Sequence, residues 1–93
     1  MTSPLAPEVL RAAEALRRFG AREVYLFGSR ARATPRADSD IDLAVRGLPP
    51  EKFYRAVAEA LSVSPVPLDV VDLDDPGPLM DLLRRKGDFV RVF

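Results

Sequence analysis

The chain has no cysteine and no histidine. Without cysteine there are no disulfides, zinc thiolates or thiol nucleophiles. Without histidine there is no imidazole base, no histidine triad and no His-containing metal site. Neither sign of charge is in excess: fourteen basic and fourteen acidic side chains give a formal net charge of 0. That excludes a basic nucleic-acid wrapper and an acidic disordered tail, and direct nucleic-acid binding is not expected. Long apolar runs are missing, so no membrane span is expected. Residues 1–7 lack the basic region and apolar core of a signal peptide, and the expected location is cytoplasmic. Any catalysis must run on carboxylates, hydroxyls, Lys, Arg or bound metal.

What is present is globular in balance, with 47% apolar and 30% charged residues. Ninety-three residues suit a single domain spanning 1–93. Such a chain would fold to a surface of roughly 5,400 Å², burying roughly 64% of the extended chain's area. One layer of helices on one sheet fits within that limit. No repeat, linker or low-complexity tract marks a second domain.

The spacing of Val9, Ala12, Ala13, Leu16 and Phe19 predicts a helix from Pro7 to Phe19, with Gly20 as its C-cap. Glu23 to Phe27 reads as a strand buried on both faces. Gly28 and Ser29 break it, and 30–39 reads as a loop with one short helical turn after Ser29. Asp40 to Val45 is the second strand. Pro50 to Leu61 is the second helix, with Phe53, Val57, Ala60 and Leu61 inward. Leu68 to Val71 is the third strand, Asp75 to Lys86 a third helix, and Phe89 to Phe93 a short edge strand. Phe89, Val92 and Phe93 either close the core or form a contact strand.

The chemistry concentrates in Gly28-Ser29-Arg30-Ala31-Arg32 and, after seven intervening residues, Asp40-Ile41-Asp42-Leu43. Strand alternation puts Asp40 and Asp42 on one face, with Ile41, Leu43 and Val45 on the other. Unpaired carboxylates roughly 5 Å apart repel by about 3 kcal/mol at an effective dielectric of about 20. A divalent cation removes that penalty, and magnesium suits hard oxygen donors. Asp38, Ser39 and Asp40 could equally form a solvated turn. Asp42, enclosed by Ile41 and Leu43, needs a partner.

Asp69 lies inside another apolar segment, Leu68 to Val71, where a neighbouring strand could bring it beside Asp40 and Asp42. An exposed position at a sheet edge is the alternative. Asp72, Asp74 and Asp75 read as solvated turn and cap residues. Gly28 and Ser29, directly after a buried strand, offer close backbone approach and anion-binding geometry, though turns commonly carry this pair. Arg30, Arg32 and Arg36 could read phosphate or simply be surface charge. Together these features suit a nucleoside triphosphate. They match neither the P-loop nor the Rossmann glycine pattern.

In Leu26-Phe27-Gly28-Ser29-Arg30-Ala31-Arg32, Asp38-Ser39-Asp40-Ile41-Asp42-Leu43 and the later Asp69, the chain resembles a minimal nucleotidyltransferase of the DNA polymerase beta superfamily. The likeness runs from about Val9 to the last strand. One departure is Ala33, where these proteins usually have Gly, which implies a stiffer or differently placed loop. The resemblance implies a small α/β (α+β) nucleotidyltransferase fold: a mixed four-stranded sheet with helices on one face. It implies that Asp40, Asp42 and Asp69 ligate two Mg2+ ions, and that Gly28, Ser29 and Arg30 hold the phosphates of ATP or another nucleoside triphosphate. The implied reaction moves a nucleoside monophosphate to a hydroxyl. The implied partner is a HEPN-type helical toxin, with one of its tyrosines as acceptor. A non-catalytic antitoxin that neutralises such a partner by docking is the alternative, and a homodimer stays open.

Overall fold

The computed structural model describes residues 6–31, 40–75, 77 and 89–93. Helix α1 spans Pro7–Arg18, with Pro7 at its start and extended Ala6 before it (φ −59°, ψ 153°). Glu8 in the first turn and Arg17 and Arg18 in the last complement the helix dipole. Val9, Ala12, Ala13 and Leu16 are fully buried, as their spacing requires. Gly20 adopts φ +118°. The Gly20 N–H donates to Arg17 O at 3.0 Å and the Ala21 N–H to Leu16 O at 3.2 Å. This paired bonding closes the helix with a residue free to take a left-handed conformation.

Strand β1 is Glu23–Phe27, followed by a 3-10 turn over Gly28–Ala31. Strand β2 is Ile41–Arg46. A 3-10 turn at Pro50–Lys52 leads into helix α2, Phe53–Val63. Strand β3 is Leu68–Asp72 and strand β4 is Val90–Arg91. The four strands lie in the order β3-β2-β1-β4. β1 is antiparallel to both β2 and β4, while β2 and β3 are parallel, so the sheet is mixed. The parallel pair requires a crossover, which α2 supplies. Val24, Leu26, Ile41, Leu43, Val45 and Leu68 form one core with the buried side of α1 and with Ala56 and Ala60 of α2. The α/β fold with a four-stranded mixed sheet and its helices on one face is the architecture the resemblance implies.

Several boundaries and faces differ from expectation. β1 is buried on one face only: Val24 and Leu26 are inaccessible, but Tyr25 and Phe27 are half-buried. Their rings meet Phe89, with centroids 6.0 and 5.6 Å away, so among the described residues aromatic packing covers this side of the apolar segment. β2 begins one residue later than expected and runs to Arg46, which pairs with Glu23. The α2 stripe is rotated: Ala56 and Ala60 are fully buried, whereas Leu61 is 47% exposed. Small side chains let α1 and α2 approach closely, and that contact sets the rotation in place of the larger leucine. The last strand, at an edge, has regular pairing at Val90 and Arg91, and the Val92 and Phe93 backbones continue the bonding to Val24. Of the expected third helix, Asp75 and Gly77 are non-helical and the remainder lies outside the described residues.

Candidate active site

Phe27 ends β1 opposite Asp42. Gly28 then turns the chain with φ +73°. A Cβ at Gly28 would overlap the Asp42 carboxylate, so this position requires glycine both for conformation and for space. The contact fixes the start of the Gly28–Ala31 turn against Asp42. The backbones of Ser29 and Arg30 belong to that turn. Arg32, Ala33, Arg36, Asp38 and Ser39 lie outside the described residues.

Asp42 itself is half-buried, with Ile41 and Leu43 wholly buried on the opposite face. β3 runs parallel to β2 with Asp69 in register beside Asp42. Neighbouring strands are about 4.8 Å apart, and in-register residues share a face. Asp69 is exposed and β3 is an edge strand, so edge placement and proximity to Asp42 hold together. Asp40 is exposed and immediately precedes β2. The Asp42 carboxyl is pushed above the usual carboxylate range, first by burial, then by the negative charge of Asp69, then by that of Asp40.

Among the described residues, no three acidic side chains are gathered so as to hold a metal ion, and Asp40 does not close a three-carboxylate cage with Asp42 and Asp69. Magnesium rarely uses one. It is held by one or two carboxylates, with waters and substrate phosphates completing its shell. The adjacent Asp42 and Asp69, with Asp42 raised by the charge of Asp69 and packed on the Gly28–Ala31 turn, fit that pattern in donor chemistry.

Asp72 and Asp74 build an exposed turn, as expected of them; what the residues did not announce is its tie to Gly47 and the polar cluster around Tyr25. Asp72 Oδ1 accepts from the Asp74 N–H at 2.9 Å, and Asp74 Oδ2 accepts from the Gly47 N–H at 2.7 Å. The glycine after β2 was the available signal for the tie to Asp74, and it adopts φ +79°. On the same sheet face as Asp42, Tyr25 donates its hydroxyl proton to Glu23 at 2.7 Å, flanked by Arg91 and Arg46 at 3.4 and 3.8 Å from Glu23. The hydrogen bond to Glu23 is the first cause, and burial the second, holding the Tyr25 phenol above its usual pKa.

A family model described as polymerase beta nucleotidyltransferase matches residues 13–90, and the chain belongs to that family. Among solved structures, one chain of a toxin–antitoxin crystal structure with AMP-PNP superposes with a TM-score of 0.70 at 22% identity. The match covers 95% of this chain and 73% of that one, and shows a shared fold. A candidate nucleotidyltransferase from Sulfolobus solfataricus aligns over 100% of this chain and 89% of its own, at 20% identity and a TM-score of 0.49. No curated protein matches the chain. Among the described residues no helix is long and apolar enough to cross a membrane.

Proposed function

We propose that this chain is a magnesium-dependent nucleotidyltransferase that moves AMP from ATP to a hydroxyl, the acceptor being a tyrosine of a HEPN-type helical toxin. The observation that carries the reading is the in-register Asp42–Asp69 pair, with Asp42 packed on Gly28 at the head of the Gly28–Ala31 turn. Family membership supports nucleotidyl transfer, and the likeness to a toxin–antitoxin protein crystallised with AMP-PNP supports the nucleotide and the partner.

Asp40, Asp42 and Asp69 would hold two Mg2+ ions. When bound, magnesium would neutralise phosphate charge and polarise the phosphoryl oxygens. The Gly28 and Ser29 backbone would approach the triphosphate, and Arg30 would offset charge on the departing pyrophosphate. The acceptor oxygen bonds to the α-phosphorus as the bond from that atom to the α–β bridging oxygen breaks. Pyrophosphate leaves with the electron pair, and the acceptor proton passes to the Asp69 carboxylate.

The test incubates the protein with labelled ATP, magnesium and its cognate helical partner. Label should appear covalently on the partner. Replacing Asp40 and Asp42 together by Asn should remove about 4 kcal/mol of transition-state stabilisation, roughly a thousandfold in rate, with the fold retained. Persistent labelling in that variant would overturn the site assignment. Tight partner binding with no label from any of the common nucleoside triphosphates would instead make this a docking antitoxin.

A further inference from the structure

β3 is an edge strand whose outer side meets no other strand among the described residues. Its hydrogen-bonding phase follows from its two ends. Ile41 N–H donates to Pro67 O at 2.9 Å, and Leu73 N–H donates to Val45 O at 2.8 Å. Main-chain groups alternate sides along a strand, so the odd-numbered residues of this segment bond to β2. The N–H and C=O groups of Leu68 and Val70 therefore point away from the sheet. So does the Asp72 N–H, while the Asp72 carbonyl accepts from the Asp75 N–H at 3.2 Å. Beside this edge runs a groove of about 400 Å³, lined by Pro50, Phe53, Tyr54, Val70, Asp72 and Asp75. Tyr54 at its rim is 84% exposed.

We propose that the acceptor is presented as an extended peptide segment that adds a strand to the outer edge of β3, with its hydroxyl-bearing residue in register with Asp69. This inference rests on the nucleotidyltransferase reading above and specifies how that site takes its acceptor. In-register neighbours share a face about 4.8 Å apart. A residue opposite Asp69 therefore stands on the outer flank of Asp69, as Asp42 stands on the inner flank. The residues on either side of the acceptor turn into the groove, against its Phe53, Tyr54 and Val70 side chains. Asp69, Asp72 and Asp75 favour lysine or arginine in the segment. Main-chain bonds supply affinity and the groove supplies choice of sequence, as in strand-addition complexes generally. The chemical step is the one written above: the acceptor oxygen gains the α-phosphorus, pyrophosphate leaves, and the proton goes to Asp69.

The probe is the blocked peptide acetyl-Lys-Val-Tyr-Val-Lys-amide, incubated with the full chain, labelled ATP and magnesium, together with versions N-methylated at each amide in turn. Labelling should occur on tyrosine. It should fall at least tenfold on methylating alternate amides and stay within twofold on methylating those between, the phase reporting a parallel or antiparallel strand. V70P, which removes an outward N–H, should cut peptide labelling at least tenfold. Should V70P fail to fold, the methylated peptides decide alone. An even loss at every amide, or no loss at any, overturns strand addition. Labelling of the cognate partner but never of the peptide also overturns it, leaving the parent reading intact. A concentration-dependent homodimer abolished by V70P would assign the edge to a second copy instead. No labelling of either acceptor, with no rise in melting temperature on adding ATP and magnesium, removes the parent reading and this inference together.

Discussion

At the scale of single residues, Gly28 and Asp42 act as one unit. G28A forces an L-residue into a left-handed backbone and drives a methyl group into the Asp42 carboxylate. Conformation costs about 1–2 kcal/mol and overpacking about 1–3 kcal/mol, so urea unfolding should show a loss of about 2–5 kcal/mol. The D42A change opens the space a methyl group needs. The double variant should therefore lose less than the sum of the two single changes, leaving mainly the conformational cost. Additivity in that cycle would show that the two residues do not press on one another.

Asp42 also makes a pH prediction. Its folded-state pKa lies above the ordinary value, through burial and the charges of Asp69 and Asp40. The folded chain then binds this proton more tightly than the unfolded chain does. Its favourable contribution is complete below the ordinary carboxylate range and is lost as pH rises through the raised value. Without divalent cation, the melting temperature of the wild type relative to D42N should therefore fall as pH rises through that window. A difference that stays flat, or rises, would count against the crowding of carboxylates at this position.

At the scale of elements, some features were readable from the residues and others were not. The limits of β1 follow from Val24 to Phe27 and the break at Gly28. The end of α1 follows from Gly20. The parity of Asp42 follows from Ile41 and Leu43. The parallel pairing that brings Asp69 beside Asp42 is different, since strand spacing alone permits either direction. Nor could hydrophobicity find the rotation of α2. A hydropathy stripe ranks Leu61 above Ala56, but close helix packing selects the smaller residue. The packing of Asp42 on Gly28 depends on register across two strands and has no local signature.

The α1–α2 contact separates these two rules experimentally. A60L inserts bulk where Ala60 is fully buried, and should cost about 1–3 kcal/mol in chemical denaturation. L61A, at a position 47% exposed, should change stability by no more than about 0.5 kcal/mol. A reversal of this order would place the buried stripe where hydropathy alone puts it.

At the scale of the whole molecule, the acidic site should register as ligand-linked stability. A ligand that binds only the folded state adds about 2.7 kcal/mol at a hundred times its dissociation constant. Magnesium with AMP-PNP should raise the melting temperature of the wild type, and D40N/D42N should abolish most of that rise. An equal rise in both proteins would place nucleotide and metal elsewhere on the surface.

The parallel pairing of β2 and β3 has a kinetic consequence. Antiparallel neighbours can zip outward from a turn, but parallel ones meet only after the intervening helix has formed and docked. Such non-local closure is slow. The Asp42–Asp69 juxtaposition forms only when this pairing closes, so its repulsion opposes that closure. Stopped-flow refolding should accelerate when magnesium is present from the start, while the unfolding limb responds less.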